Sequence, residues 1–227
     1  MSAMRAAEAT RAPAIALNSR GNAVARRLQD IVKKGGMETM ANLQLQLAIY
    51  DHAPDLPQAN GADVVSRQVW RGGAIDRATR GVVENPPRWI TLLETKTVPN
   101  TPAPADALLS WDLEQVNPGD TISPPNAGGL TLTSMDIDPA VEDEFNDWYN
   151  TEHIPILSEL PGMIAARRFR ARRGSPRYVA LYHVTDVGIY AKPSWYTANE
   201  TPWMLRMRRF QRNRTYFMFG SLEEATQ

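Results

Sequence analysis

The stretch that decides the fold runs from residue 145 to residue 157 and reads FNDWYNTEHIPIL. Its apolar and aromatic residues recur at helical spacing, and Pro155 and Pro161-Gly162 are expected to end the helix. A strand-like segment that carries arginines, residues 165–170, comes next. The pattern therefore predicts a helix that ends near a titratable imidazole, His153, and leads into a strand.

A fainter copy of this stretch lies earlier in the chain. Both copies read acid-His-X-Pro-X-Leu, around His52 and His153, and a glycine follows nine residues after each histidine. An arginine stands six residues after each glycine, at Arg67 and Arg168. Self-similarity at about 100 residues predicts two copies of one domain-sized unit rather than a solenoid of short repeats.

A second match supports the duplication. Residues 86–94 resemble residues 175–183, so that Glu94 stands where the later copy has His183. The duplication predicts a first, degenerate unit over residues 21–116 and a second unit over residues 130–220. Between them, residues 117–129 are rich in Pro, Asn and Gly and are predicted to be a linker. Residues 1–20 are expected to be a disordered N-terminus.

The second unit has clear secondary-structure signals. Asp138-Pro139 is typical of a helix start, because the aspartate caps the helix and proline at the first position loses no hydrogen bond. Strands are predicted over 130–137, 163–170, 178–184 and 215–219, and helices after residue 138 and over 194–210. The order β-α-β-β-α-β is that of the split ferredoxin-like unit, an α+β fold.

The first unit is harder to interpret. Residues 21–33 have helical apolar spacing and end before Gly35-Gly36. Residues 43–50 alternate like a strand but also fit helical spacing, and their alignment with residues 141–150 favours a helix there.

Composition excludes several classes of protein. The 227 residues have a formal net charge of zero and no cysteine, which argues against nucleic-acid binding, disulfides and thiolate chemistry. No apolar run approaches the roughly 18 residues that cross a bilayer, and no secretory signal is recognisable. We expect a cytoplasmic protein without a nucleic-acid or membrane partner.

The residues 144–155, 160–162 and 167–169 resemble the EthD-like branch of the dimeric α+β barrel superfamily. The resemblance implies two ferredoxin-like units whose sheets enclose a mostly apolar cavity, here within one chain. Members of the superfamily include isomerases, cyclases, cofactor-free monooxygenases and haem enzymes. The first unit departs from the pattern because it lacks the Trp-Tyr pair.

His153 is the first candidate for acid–base chemistry, because an imidazole titrates near working pH. Asp147 and Tyr149 could assist it, and Tyr149 is one helical turn away. Glu152 is adjacent in sequence and does not face His153 on a helix. The alternative is a structural histidine that ties the helix end to backbone carbonyls.

His183 and Glu94 form the second candidate. Strand alternation puts both at matching places, where they could face a shared interior as an acid–base pair. The alternative is a strand-end histidine that faces solvent. For substrate binding we expect Arg168, Trp148, Trp203 and Tyr182, although solvated edge arginines and core aromatic residues are the plainer explanation.

These patterns predict a cofactor-independent enzyme that transfers protons on a small hydrophobic, aromatic substrate in the barrel cavity, as a lyase, isomerase or cyclase or as a cofactor-free oxygenase. Two alternatives stay open: a non-catalytic ligand-binding or assembly protein, and a haem-dependent enzyme. No metal-ligand spacing such as His-X-X-X-His occurs, so no metal site is predicted. Exposed sheet edges would favour a homodimer.

Overall fold

The computed structural model of the chain describes residues 42–59, 63–75 and 82–220. The N-terminal segment 1–20 and the helix expected over residues 21–33 lie outside the described residues. The described part is dominated by β-strands. They are β1 (Gln44–Tyr50), β2 (Val64–Ile75), β3 (Val82–Thr95), β4 (Leu109–Asn117), β5 (Gly129–Ile137), β6 (Met163–Arg173), β7 (Tyr178–Val184) and β8 (Gln211–Gly220).

The eight strands form a closed antiparallel barrel in the order β1-β3-β2-β8-β5-β7-β6-β4. The pairs β2–β8 and β4–β6 join the two halves of the chain. Within each half the strands lie in the same order: fourth, first, third, second. Because each of the eight described strands has a partner on both sides, the argument for a homodimer from exposed sheet edges does not apply, and the homodimer stays a prediction.

Helices occur, within the described part, in the two long connections of the second half. The first connection contains the 3-10 turn Pro139–Val141, α1 (Glu142–Trp148), the π-helical turn Tyr149–His153 and α2 (Ile154–Ser158). The second contains the 3-10 turns Val187–Ala191 and Arg208–Phe210 around α3 (Pro193–Ala198) and α4 (Pro202–Met207). Strands and helices therefore alternate here as the sequence predicts. None of the described helices is long and apolar enough to cross a membrane.

The first helical connection begins where the sequence predicts and ends later. Asp138 caps it by accepting a hydrogen bond from the backbone N–H of Ala140 at 3.0 Å, with Pro139 in the first position. The helix does not end at Pro155, because that residue lies in the first turn of α2, where a missing N–H costs little. The chain leaves the helical layer at Gly162, whose φ of 95° is accessible to glycine with little strain.

The helix expected over residues 43–50 is wrong, because this segment is strand β1. Leu45, Leu47 and Ile49 alternate into the barrel. The intervening Gln46 is also buried, and its side-chain amide donates to the backbone oxygen of Thr101 at 3.2 Å. The loop after β3 thus covers the outer side of β1, so that every residue of this strand is buried and the helical spacing is coincidental.

All eight strands contribute side chains to the core inside the barrel. The cluster is almost entirely aliphatic and aromatic, as expected for a closed barrel whose interior is filled by side chains. Its buried members are Leu45, Leu47, Ile49, Trp70, Ile90, Leu92, Trp111, Leu113, Leu130, Leu132, Phe169, Val179, Leu181 and Phe219.

A buried ion pair crosses this interior. Glu94 of β3 and Arg167 of β6 have no exposed surface and bind each other directly. Ser123, in the loop between the two halves, donates its backbone N–H and its hydroxyl to the same carboxylate, each at 2.8 Å. Arg167 also donates to the hydroxyl of Ser123 at 2.7 Å and to the backbone oxygen of Thr121 at 2.9 Å. The pair therefore ties both halves and their connecting loop together.

Glu94 and His183 occupy equivalent places in the two halves, as their alignment predicts. Glu94 pairs with Leu45 of β1, and His183 pairs with Leu130 of β5. His183 is fully buried, and neither ring nitrogen has a hydrogen-bond partner among the described residues. Burial, followed by the nearby charge of Arg167, lowers the pKa of His183 well below its usual value, so the ring is neutral.

Removing one member of the buried ion pair is expected to cost more than removing both. Arg167→Met leaves the Glu94 carboxylate buried without a cation, which costs about 3–5 kcal/mol of unfolding free energy. The double variant Glu94→Leu/Arg167→Met is expected to recover most of this loss. Urea denaturation monitored by circular dichroism measures both.

The exposed pair between Arg173 and Asp112, 2.7 Å apart, provides the matched control. Arg173→Met is expected to cost at most about 1 kcal/mol, since solvent screens such pairs. If Arg167→Met cost no more than this control, the barrel would not depend on its buried pair.

Candidate functional site

A cavity of about 350 Å³ lies between the outer face of the second half's strands and the helices that cover them. We call it the helix–sheet cavity. Its floor comes from β5, β7 and β8, and its walls come from both helical connections. The residues that line it are Thr131, Thr133, Met135, Trp148, Tyr149, His153, Tyr182, Tyr190, Trp195, Tyr196, Asn199, Glu200, Met204, Arg208, Gln211, Arg214, Tyr216 and Met218.

Strand alternation produces this cavity. On β5, Leu130 and Leu132 point into the barrel, so Thr131 and Thr133 point outward to the cavity floor. The same rule on β7 leaves Tyr182 on the outer face. The sheet is therefore covered on both sides in this half, by the barrel core within and by helices outside.

His153 stands in the wall of the cavity at the end of the π-helical turn. Its ring lies 4.5 Å from the ring of Trp148, tilted by 31°, and 5.0 Å from the ring of Tyr149 in edge-on contact. Its Nε2 lies 3.3 Å from the hydroxyl oxygen of Tyr182. Burial, helped by the positive charges of Arg168 and Arg208, lowers the pKa of His153 to about 3. The imidazole is therefore neutral at working pH.

Two tyrosines beside His153 are also neutral. Burial raises the pKa of Tyr182 well above its usual value. Burial raises the pKa of Tyr149 too, although the charge of Arg168 opposes the shift. Around His153 the wall thus offers the phenolic hydroxyls of Tyr149 and Tyr182 and one neutral imidazole, which can donate or accept hydrogen bonds without carrying charge.

Arg168 lies behind this wall and does not line the cavity. Its guanidinium carbon is 4.5 Å from the ring centres of both Tyr149 and Tyr178 and 4.8 Å from that of Phe145. Its Nη2 donates to the side-chain oxygen of Asn146 at 2.6 Å. Among the described residues it has no carboxylate within ion-pair distance, so aromatic faces and an amide hold this buried cation.

Glu152 links the two helical connections rather than orienting His153. Its Oε1 accepts a hydrogen bond from Trp148 Nε1 at 3.2 Å and another from the hydroxyl of Thr201 at 2.5 Å. Thr201 also caps α4 by accepting from the backbone N–H of Met204 at 3.1 Å. These contacts link the two helical connections that form the walls of the cavity.

Four of the predicted site residues meet at the cavity: His153, Tyr149, Trp148 and Tyr182. Asp147 does not, because its side chain is exposed on the outer side of α1. Trp203 lies beyond the lining, where its Nε1 donates to Glu144 at 3.2 Å.

The remaining predicted residues lie elsewhere. His183 and Glu94 are inside the barrel, on the other face of the sheet, and Glu94 binds Arg167 instead of His183. His52 is exposed after β1, where its ring nitrogens lie 3.0 Å from Asp51 and 3.2 Å from Asp106.

The sequence interpretation did not single out several lining residues. Thr131 and Thr133 could have been found, because polar residues between buried leucines mark the outer face of β5. Gln211, Arg208 and Tyr190 carry no local signal, because the pairing of β8 with β5 and the fold of the second connection bring them in.

Metal ligands are not grouped in the described part of the chain. Within the described ranges no group of three or more His, Asp or Glu side chains could hold a metal ion. Nε2 of His153 faces Tyr182, His183 is enclosed by the barrel core, and His52 lies outside the cavity between two carboxylates.

Comparison with known proteins gives a few distant likenesses. No family model matches the chain, and no curated protein matches it. A solved structure provisionally named a monooxygenase, from Fusobacterium nucleatum subsp. nucleatum ATCC 25586, has a TM-score of 0.49 at 8% identity and covers 79% of this chain and 92% of its own.

Two further solved structures are similar at the same level. A provisionally named monooxygenase from Lactobacillus acidophilus NCFM has a TM-score of 0.45 at 10% identity and covers 78% of this chain and 93% of its own. A protein described as anthrone oxidase-like has a TM-score of 0.47 at 11% identity and covers 81% and 93%. With TM-scores below 0.5 and identities of 8–11%, these similarities do not indicate which reaction or substrate this chain has.

The low pKa of His153 predicts a stability that falls with acidification. Below pH 6.5 the unfolded chain protonates this histidine, whereas the folded chain keeps it neutral until about pH 3. The unfolded state therefore binds more protons in this window, and each pH unit costs up to about 1.4 kcal/mol per such histidine. His153→Phe removes this contribution and is expected to flatten the dependence measured by urea denaturation between pH 6.5 and pH 4.

The exposed His52 serves as the control, because His52→Asn is expected to leave the slope unchanged on this acid side. A His153→Phe slope equal to that of the unaltered chain would show that His153 is not the buried, neutral group described here.

Proposed function

We propose that the chain is a cofactor-independent enzyme that removes a proton from a small aromatic or polyketide-like substrate bound in the helix–sheet cavity. The observation that carries the proposal is the neutral His153–Tyr182 pair in the wall of an aromatic cavity that two arginines also line. Concave, largely apolar sites with a few convergent polar groups are the usual location of small-molecule chemistry.

The charges around the cavity favour an anion. Arg208 and Arg214 line it, Arg168 lies buried behind Tyr149, and Glu200 is the single carboxylate in the lining. Such an environment lowers the free energy of a phenolate or enolate relative to its neutral acid. Arg168 and Arg208, which add to the effect of burial in lowering the pKa of His153, would therefore also help a bound phenol or enolisable ketone to ionise.

The neutral pair can receive the proton. When Nε2–H of His153 donates to the hydroxyl oxygen of Tyr182, Nδ1 is left as the acceptor. His153 is a weak base in the empty cavity, with a pKa of about 3. The negative charge that forms on the substrate would raise this pKa, because an opposite charge nearby favours the imidazolium. Proton transfer and anion formation would thus support each other.

Among proton-transfer reactions, cofactor-free oxygenation is our leading assignment. A carbanion formed at a methylene group can react directly with O₂. One oxygen atom then becomes the new carbonyl, and the other leaves as water with the two hydrogens of the methylene. A lyase, isomerase or cyclase would use the same first step and return the proton to a different atom without consuming O₂.

A non-catalytic ligand-binding protein is the second candidate. The low pKa of His153 favours it, because this imidazole is a weak base at neutral pH. Such a protein would bind an aromatic ligand without forming product.

The finer description of the fold is also a proposal. We infer that the two halves are ferredoxin-like units, the first without helices between its described strands, in a tandem member of the EthD-like branch. The shared strand order and the equivalent places of Glu94 and His183 support it. The boundaries 21–116, 117–129 and 130–220 belong to the same proposal.

Oxygen uptake tests the function. With anthrone or a hydroxyanthrone as the first probe, we expect O₂ consumption that matches quinone formation one to one. His153→Gln is expected to lower kcat by about 10²-fold, the usual contribution of a positioned acid–base group. His52→Gln, which changes an exposed histidine, should leave the rate unchanged. Product without O₂ consumption would assign a lyase or isomerase, and saturable binding without product would assign a binding protein.

A second variant decides which face of the sheet carries the chemistry. His183→Leu replaces an unpartnered buried imidazole by an apolar side chain inside the barrel, and we expect turnover within about twofold and a folded state at least as stable. Turnover and melting temperature are measured on the same preparation. Loss of turnover in a folded His183→Leu protein would move the reaction to the barrel interior.

A further inference from the structure

Gln211 stands out among the buried glutamines of the described chain. Its side chain is 7% exposed and lines the helix–sheet cavity, yet neither the amide oxygen nor the amide nitrogen has a partner among the described residues. A buried amide without partners costs about 1–3 kcal/mol for each unsatisfied group. Such a cost calls for a compensating role.

The chain satisfies its other buried glutamines. Gln44 donates to the backbone oxygen of Asn42 at 2.8 Å, and Gln46 donates to that of Thr101 at 3.2 Å. Gln115, with its amide oriented so that the nitrogen donates to Thr121 O at 2.9 Å, also accepts from backbone N–H groups at 2.8 and 2.9 Å. Among the buried glutamines of the described chain, the one without hydrogen-bond partners is therefore the one that lines the cavity.

The position of Gln211 is fixed by its strand. It is the first residue of β8, opposite Ile137 of β5 in the sheet, directly after the 3-10 turn that ends the second helical connection. This pairing fixes the backbone of Gln211, and the residue contributes to the lining of the cavity.

We propose that Gln211 is a specificity-determining residue that binds a planar ring carrying a lactam-like edge. A primary amide presents one donor and one acceptor side by side. Its complement is an N–H donor and a carbonyl acceptor on adjacent ring atoms, which together close two hydrogen bonds. Seven aromatic side chains in the lining, Trp148, Tyr149, Tyr182, Tyr190, Trp195, Tyr196 and Tyr216, would contact the faces and edges of such a ring. This inference rests on the proposed substrate-binding role of the cavity.

Three probes of similar shape test the inference on the full chain. Quinolin-2(1H)-one carries both donor and acceptor, coumarin replaces the N–H by a ring oxygen, and naphthalene has neither group. Calorimetric titration is expected to give a Kd for the quinolinone at least about tenfold lower than that for coumarin, since a site with an unpaired buried donor or acceptor discriminates strongly. Equal affinity for the two, or no measurable binding of the quinolinone, would overturn the proposal.

Gln211→Leu provides the matched variant, and Gln58→Leu, at an exposed position, provides the control. The first is expected to bring the two affinities within about twofold, and the second to keep the tenfold preference. If Gln211→Leu did not fold, the comparison of quinolinone with coumarin on the unaltered chain would still decide. Binding without turnover can succeed when the oxygen-uptake assay fails, so the two proposals fail separately.

Discussion

Burial of the second half's sheet on both faces is the constraint on which the rest of the structure depends. Along β7, Val179, Leu181 and His183 enter the barrel, whereas Tyr178 and Tyr182 lie under the helices. Each strand of this half must therefore provide two largely apolar faces, and a polar group buried there is costly unless a partner compensates it. The helix–sheet cavity lies on the outer face, where large aromatic side chains line it.

The polar groups in these dry regions divide into two kinds. Glu94 and Arg167 are bonded to each other and to Ser123, so the cost of burying them is offset and they join the halves of the barrel. Arg168 is a buried cation held by aromatic faces, and Gln211 is an amide without partners. Groups without such a network occur on both faces of the sheet, because the ring nitrogens of His183 inside the barrel also have no partner among the described residues. Arg168 lies behind the wall of the helix–sheet cavity, and Gln211 is one of the residues that line it.

Local patterns predicted the second half well. The cap at Asp138, the strand over residues 178–184 and the closeness of Tyr149 to His153 all follow from spacing within one element. β1 was assigned as a helix because alignment with a helical segment was given more weight than its two-residue alternation. Strand spacing also identifies two faces without saying which one enters the barrel. Closure of the barrel decides which face of each strand points inward. It places Arg168 behind the wall of the helix–sheet cavity, and it places Glu94 inside the barrel, where Glu94 binds Arg167.

A pKa of about 3 is unfavourable for a catalytic base. The charge of a bound substrate changes this pKa, however, so the proposed role of His153 has to be judged with the substrate present. In the empty cavity, burial and the charges of Arg168 and Arg208 oppose protonation. An anion formed beside the ring would reverse the sign of the local charge and favour the imidazolium. The arginines would then stabilise the substrate's charge while the substrate stabilises the charge of His153. A histidine already protonated before the substrate binds could not accept a proton, so the neutral imidazole is the form that the proposed function requires.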